Sequence, residues 1–433
     1  MIRFHLVTRI VAALAAVAVA GCSGGGGGGG GSTSGPLPLP QTGALAVGAA
    51  QRSVSSIAFQ PSAVRYKSLY SFTSGSDGRN PYAGLLNVNG TLYGTTVYGG
   101  NGGNCSHSCG TVFKITTSGK ESVLYSFNGS PDGANPSAGL LDVNGTLYGT
   151  TSGGGASGGG CYRFGGDGCG TVFSIPVTGG PETVLYRFTS GSDGRNPHAG
   201  LLNVNGTLYG TTTGGGTSDN GTVFSITPSG KESVVYRFQG GTDGRGPGGL
   251  LNVNATLYGT TTGGGTSNNG TVFSIAVTGG PETELYRFTG GSDGSLPVGS
   301  LINVKGTLYG TTELSGSSNL GTVFSIPVTG GTETALYGFK GGQDGSYPAA
   351  GLLNVNGTLY GTTQVGGTSN YGTVFKMSTT GNETVLYRFQ GAPSGGPDGA
   401  FPYAGLINVN GTLYGATYYG GTSGYGTVFS ISL

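Results

Sequence analysis

From Gly84 onward the chain alternates short apolar runs with polar turn clusters. Leu85-Leu86-Asn87-Val88 is followed by Thr91-Leu92-Tyr93-Gly94, then Thr111-Val112-Phe113-Lys114-Ile115, then Val123-Leu124-Tyr125-Ser126-Phe127. Runs this short, rich in β-branched and aromatic residues and bounded by Gly, Pro, Asn and Asp, predict β-strands rather than helices. Asn89-Gly90 separates the first two runs, and this pair accepts the positive φ of a tight hairpin turn. A Gly-rich loop separates the second and third runs, and an Asp-Gly loop of the Asp77-Gly78 kind follows the fourth.

The same four runs return seven times. GTLYG, once ATLYG, starts at 90, 145, 206, 255, 306, 357 and 411, at spacings of 49 to 61 residues. GTVF starts at 110, 170, 221, 270, 321, 372 and 426, and the Leu/Val-Tyr-x-Phe run at 69, 124, 185, 235, 285, 336 and 386. Four-stranded units repeated at about 40–50 residues predict the blades of a β-propeller. The first Leu-Tyr-Ser-Phe run precedes the first Gly-Leu-Leu-Asn-Val, whereas the seventh GTVF is followed by none, so the units amount to six complete blades and one split blade. The expected fold is therefore all-β: a seven-bladed propeller of four-stranded antiparallel blades over residues 65–433, closed by the N-terminal strand completing the last blade. Such closure leaves no unpaired edge at the seam.

The pattern DGxxPxxGLLNVNGTLYGTTxxGG, followed by GTVFxIxxxGxExxLYxF, resembles the GloVer repeat of bacterial choice-of-anchor tandem-repeat proteins over roughly residues 66–433. The resemblance implies a surface-anchored repeat protein and brings no catalytic residues with it. YGTT followed by Gly-Gly is also similar to kelch blades, without the Trp that kelch repeats carry.

Composition changes the picture in two places. Gly makes up 95 of 433 residues, but it sits at fixed turn positions between apolar runs, which is turn chemistry rather than low complexity. A formal net charge of +1 without a basic run excludes nucleic acid as a partner. At the N-terminus, Arg3 and Arg9 precede an apolar stretch from Ile10 to Ala20, and Val19-Ala20-Gly21-Cys22 resembles the lipobox of bacterial lipoproteins. That resemblance implies a signal peptide over 1–21, cleavage before Cys22, and lipidation of Cys22 as a membrane anchor. Ser23 after the cysteine points, by the same resemblance, to the outer membrane. Residues 22–64, with Gly24 to Gly31 and Pro36-Leu37-Pro38-Leu39-Pro40, read as a Gly/Ser/Pro-rich tether.

Candidate chemistry lies on the face expected to carry both the Asp-Gly and the Gly-rich loops. Asp77, Asp132, Asp193, Asp243, Asp293, Asp344 and Asp398 supply one carboxylate per loop. That suits turn capping better than calcium, which takes several oxygens from one loop. Cys105 and Cys109, and Cys161 and Cys169, fall in the second-to-third loops of the first two blades, where an exported protein is expected to form disulfides. The spacing leaves all three pairings open. A metal centre using His107 with these cysteines is the alternative, but paired zinc half-sites are missing, and no metal is expected. The equivalent residues Asn87, Asp142, Asn203, Asn252, Asn303, Asn354 and Asn408 suit either a ring around the channel or hydrogen bonds between blades.

Copies differ most on the loop face. Tyr98, Tyr162, Arg163, Phe164, Tyr371, Tyr418, Tyr419 and Tyr425 occupy Gly-rich loops, and Arg79, Arg195, Arg245, His198, Tyr347, Phe401 and Tyr403 follow Asp-Gly turns. Tyr and Arg dominate binding hot spots, so this set is the candidate binding face. No Ser-His-Asp or nucleophile-elbow pattern occurs, and Trp, the mark of quinone-docking propellers, is missing. Asp167, Asp219 and Glu313 lie outside the repeated acid positions, with no spacing that pairs two of them. The expectation is a monomeric, lipid-anchored envelope protein that binds protein or polysaccharide, with no cofactor and no catalytic residues. A polysaccharide hydrolase or lyase, and a purely structural envelope protein, are the alternatives.

Overall fold

The hairpin turn sets the unit. Asn89 and Gly90 have φ of 50° and 85°, the two left-handed residues of a type I′ turn, whose twist matches that of the strands it joins. The computed structural model of the chain describes residues 64–103, 105, 108–156, 161, 168–391, 394–396 and 398–433. In blade 1 the strands Leu86–Val88, Thr91–Thr96, Thr111–Thr116 and Glu121–Ser126 pair antiparallel in chain order. The next five blades repeat this order, and blades 4 and 5 add a short strand, Arg245–Pro247 and Ser295–Pro297, beside the extended second strand.

Blade 7 takes its outer strand from the other end of the chain. Arg65–Ser71 pairs antiparallel with Thr427–Ser432, Arg65 opposite Ser432 and Ser71 opposite Thr427. Around the axis, Leu86–Val88 touches both Leu141–Val143 and Ile407–Val409, so the innermost strands form a closed seven-membered ring. Their approach is tight where each begins: a Cβ on Gly84 would lie 3.3 Å from the Gly405 carbonyl oxygen, and one on Gly200 3.2 Å from that of Gly139.

The core is made at the joints between blades. The Phe of each outer strand meets the Gly-Thr-Val-Phe ring of the next blade edge-on, from Phe72 with Phe113 at 5.2 Å to Phe389 with Phe429 at 5.2 Å. All of these rings are fully buried. Beneath each lies the Gly of Tyr-Gly-Thr-Thr; a Cβ on Gly210 would come within 2.5 Å of Phe224 Cζ. The Thr pair that closes each second-to-third ladder is buried as well, Thr96 Oγ1 lying 2.8 Å from Thr111 Oγ1.

The inner-strand side chains make their hydrogen bonds within their own hairpins rather than between blades. Asn87 Oδ1 accepts from Gly90 N at 3.0 Å, and Asp142, Asn203, Asn303, Asn354 and Asn408 do the same in their own hairpins. The physical reason is local: the turn leaves one N–H unused, and a side chain three residues back reaches it. Asn252, whose turn carries Ala255 instead of Gly, has its buried Oδ1 unpaired.

Candidate functional site

The loop face is built on the seven aspartates. Asp77 turns inward and fills its lone pairs with protein donors: Tyr70 OH at 3.0 Å, Thr73 N at 2.7 Å, Thr73 Oγ1 at 2.8 Å and Gly75 N at 3.1 Å. Tyr125 with Asp132, Tyr186 with Asp193 and Tyr236 with Asp243 repeat the anchor, as do the pairs in the remaining blades. A carboxylate engaged in this way organises a turn.

Three residues after each Asp, the backbone enters the left-handed region. Asn80, Asn135 and Asn196 hold that position in blades 1 to 3, with φ of 58°, 56° and 52°. Each donates from Nδ2 to a carbonyl of the preceding blade, Asn80 to Tyr418 O at 2.8 Å. Gly246 holds the position in blade 4, but Leu296, Tyr347 and Phe401 hold it in blades 5 to 7, at 55°, 57° and 56°. Left-handed backbone costs a bulky residue roughly 1 kcal/mol or more, so these three positions are strained where Asn and Gly would not be.

One strained position, Phe401, belongs to an aromatic arc across blades 6, 7 and 1. Phe401 meets Tyr371 at 5.7 Å and Tyr419 at 6.1 Å; Tyr419 meets Tyr418 at 4.7 Å; Tyr418 meets Tyr403 at 5.5 Å and Tyr82 at 6.0 Å. Tyr82 and Tyr403 stack across the seam at 5.2 Å and 22°. Arg79 lies over Tyr98 and Tyr425, 5.4 and 5.8 Å from the ring centres. Burial first, then neighbouring tyrosines, raises the hydroxyls of Tyr403 and Tyr418 well above the ordinary value, so both remain neutral donors and acceptors at any physiological pH.

The candidate residues divide accordingly. Tyr98, Tyr347, Tyr371, Tyr418, Tyr419, Tyr425 and Arg79 are half-buried. Phe401 and Tyr403 are only 7% and 9% exposed and act chiefly as walls against which the others pack. Arg195 pairs with Asp219 on the same face, away from the arc, and Arg245 donates from Nε to Asn268 Oδ1 at 3.2 Å. His198 Nδ1 lies 2.9 Å from Ser137 Oγ in the neighbouring blade. Cys105 is bonded to Cys109 and Cys161 to Cys169, each within its own loop. Cys22, His107, Tyr162, Arg163, Phe164 and Asp167 lie outside the described residues.

Three members of the site are missing from the sequence reading. Tyr82 stands in Pro-Tyr-Ala-Gly in blade 1, the same tetrapeptide that places Tyr403 in blade 7, so its signal was available. Ser137 holds the equivalent place in blade 2 and is unremarkable until His198 arrives from blade 3. Gln364, whose Nε2 donates to Glu313 Oε1 at 3.0 Å, sits one blade on from Glu313 at the same repeat position.

Solved structures share this architecture. Virginiamycin B lyase from Staphylococcus aureus superposes with a TM-score of 0.55 at 16% identity, covering 86% of this chain and 99% of that one. A streptogramin B lyase does so with a TM-score of 0.54 at 14% identity, covering 86% and 98%. At such identities the likeness establishes the propeller fold alone. No curated protein matches the chain. The Gloeobacter/Verrucomicrobia repeat matches residues 43–255, 160–359 and 300–433, spans that together take in all seven blades, and the chain belongs to that repeat family.

Proposed function

We propose that this protein is a lipid-anchored binding module of the bacterial cell envelope. It is tethered through Cys22 at the outer membrane and takes a protein or polysaccharide ligand on the loop face of its propeller. One observation carries the binding reading: among the described residues, the Tyr and Phe departures on the loop face gather in space. Blades 6, 7 and 1 carry Tyr347, Phe401, Tyr82, Tyr403, Tyr418 and Tyr419 at positions where blades 2 to 5 have no Tyr or Phe, and two of these occupy left-handed backbone. Random drift over seven equivalent positions would scatter such changes around the ring. Aromatic side chains combine a large apolar face with a polar tip, which suits a recognition surface.

A hydrolase is the second reading, favoured by the contact between Ser137 Oγ and His198 Nδ1. A hydroxyl within reach of an imidazole is the minimum of an activated nucleophile. One experiment separates the readings. The full chain is incubated with solubilised envelope fractions, and bound and released material are both analysed, for the native protein, Tyr98→Ala/Tyr419→Ala, Ser137→Ala and Cys22→Ala. The binding reading expects retention that is lost in the double tyrosine variant and unchanged in Ser137→Ala. Product release abolished by Ser137→Ala would replace it with the hydrolase. Cys22→Ala is expected to leave binding intact and to release the protein from membranes; continued membrane association would refute the anchor.

A further inference from the structure

Resting on that binding reading, the polarity of the channel mouth narrows the ligand class. The residue after the loop proline in each blade lines the mouth, because neighbours meet there across blade boundaries: Tyr82 on Tyr403, Ser137 on His198. Just outside runs a second ring of positions, those following the Tyr-Gly-Thr-Thr strands. Its Ser and Thr members have committed their protons. Ser152 Oγ donates to Asn135 O at 2.9 Å, Thr213 Oγ1 to Asn196 O at 3.0 Å and Thr262 Oγ1 to Gly246 O at 3.2 Å. Glu313 accepts from Gln364 with one oxygen and carries a negative charge that acts on Tyr347 and Tyr403.

A hydroxyl that has given up its proton to a backbone carbonyl keeps lone pairs for a visitor. Three such hydroxyls and a carboxylate make one side of the mouth rich in acceptors, while tyrosine rings make the other side apolar. The nearby guanidiniums are engaged, Arg195 by Asp219 and Arg79 by two tyrosine faces. The tyrosine hydroxyls on the apolar side stay protonated and supply donors as well as acceptors. An anionic ligand would meet Glu313 and uncompensated lone pairs. A pyranose fits: its C–H faces lie on aromatic rings, and its hydroxyls donate to the acceptors and accept from tyrosine hydroxyls.

We propose that the mouth is a binding site for an uncharged polysaccharide, with Tyr82, backed by the buried ring of Tyr403, as the stacking platform and Ser152, Thr213, Thr262 and Glu313 as acceptors for sugar hydroxyls.

The test is titration calorimetry of the full chain with cellohexaose, xylohexaose, mannohexaose and N-acetylchitohexaose, with hexagalacturonate as the acidic counterpart. Solubilised envelope protein is presented separately. The expected result is binding of at least one neutral hexaose and none of hexagalacturonate. Tyr82→Ala is expected to weaken binding at least about tenfold, Tyr82→Phe to retain most of it, and Thr213→Val to weaken it by about threefold to tenfold. The three variants must keep the native urea midpoint to within error. Binding of hexagalacturonate alone overturns the proposal, because the polarity argument would have the wrong sign. Retention of an envelope protein, released by Tyr82→Ala while no hexaose binds, overturns the glycan and leaves the loop-face reading standing. No binding of any probe, or binding indifferent to Tyr82→Ala, overturns both.

Discussion

Six of the seven joints between blades carry a carboxyl pair, and the stability of the ring should therefore fall as pH rises. Glu121 begins the outer strand of blade 1 and lies against Asp77 and Tyr70 of the preceding unit. Glu182 faces Asp132, Tyr125 and Arg187; Glu232 faces Asp193, Tyr186 and Arg237; Glu282 faces Asp243, Tyr236, Glu284 and Arg287. Glu333 faces Asp293 and Tyr286, and Glu383 faces Asp344, Tyr337 and Arg388. In every one of the six an Oε1 atom is buried without a hydrogen-bond partner. Burial first, and the Asp charge second, pushes these carboxyls from the ordinary 4.5 up to about 7, and that of Glu282 up to about 8.

The sign follows from which state holds the proton. Below pH 4.5 both the folded and the unfolded chain are protonated at these groups, and the stability is fully present. Between 4.5 and about 7 the unfolded chain ionises while the folded one resists, so stability is lost as pH rises. Above about 7, or 8 for Glu282, both states are charged and the penalty levels off. Unscreened, each glutamate would cost about 3 kcal/mol at the plateau, but the side chains are half-exposed, and solvent screening reduces this to roughly 1 kcal/mol. The six joints together then cost about 6 kcal/mol between pH 4.5 and 8. Urea denaturation at pH 5, 6, 7, 8 and 9, followed by tyrosine fluorescence, should show the midpoint falling by at least about 1 M and then flattening. Glu232→Gln should raise stability at pH 8 by about 1 kcal/mol and remove one-sixth of the slope. A midpoint that is flat or rises over this range, or a slope untouched by Glu232→Gln, would refute the reasoning. The closing joint is an internal contrast: Tyr66 takes the place of the glutamate, stacks on Tyr387 at 4.2 Å and 5°, and is held by burial above its ordinary value of 10, so the seam carries no proton linkage in this window.

Two further outcomes check the packing. Gly210→Ala should destabilise by about 1–3 kcal/mol, because the new methyl would lie 2.5 Å from Phe224 Cζ and 2.9 Å from Leu201 Cδ2; calorimetry showing an unchanged Tm would contradict the joint described here. Ala255→Gly should stabilise by about 0.5–1 kcal/mol, since Ala255 holds a φ of 60° where every other blade but its own uses Gly; a lowered urea midpoint would show that the strain is relieved elsewhere.

How much was legible in the chain differs between fold and site. Strand identity, hairpin turns, seven copies and the split blade could be read directly, because each is local or periodic: Asn89-Gly90 dictates its own turn, and Leu69 to Phe72 declares itself a fourth strand wherever it lands. The sequence also marked most of the aromatic residues, since departures from a repeat are visible by comparison of its own copies. What it could not assign was company. The inner-strand Asn was expected at the channel or in bonds between blades, and its partner proved to be a turn N–H three residues on. Tyr82 and Tyr403 are 321 residues apart and stack only because the ring closes; Ser137 meets His198, and Glu121 meets Asp77, only because blades pack side by side. Local hydrogen bonds and steric periodicity are encoded within a few residues, so the sequence by itself determined the blade. Burial, the raised carboxyl pKa values and the polarity of the mouth depend on which surfaces face each other after closure, and those the tertiary structure alone decided.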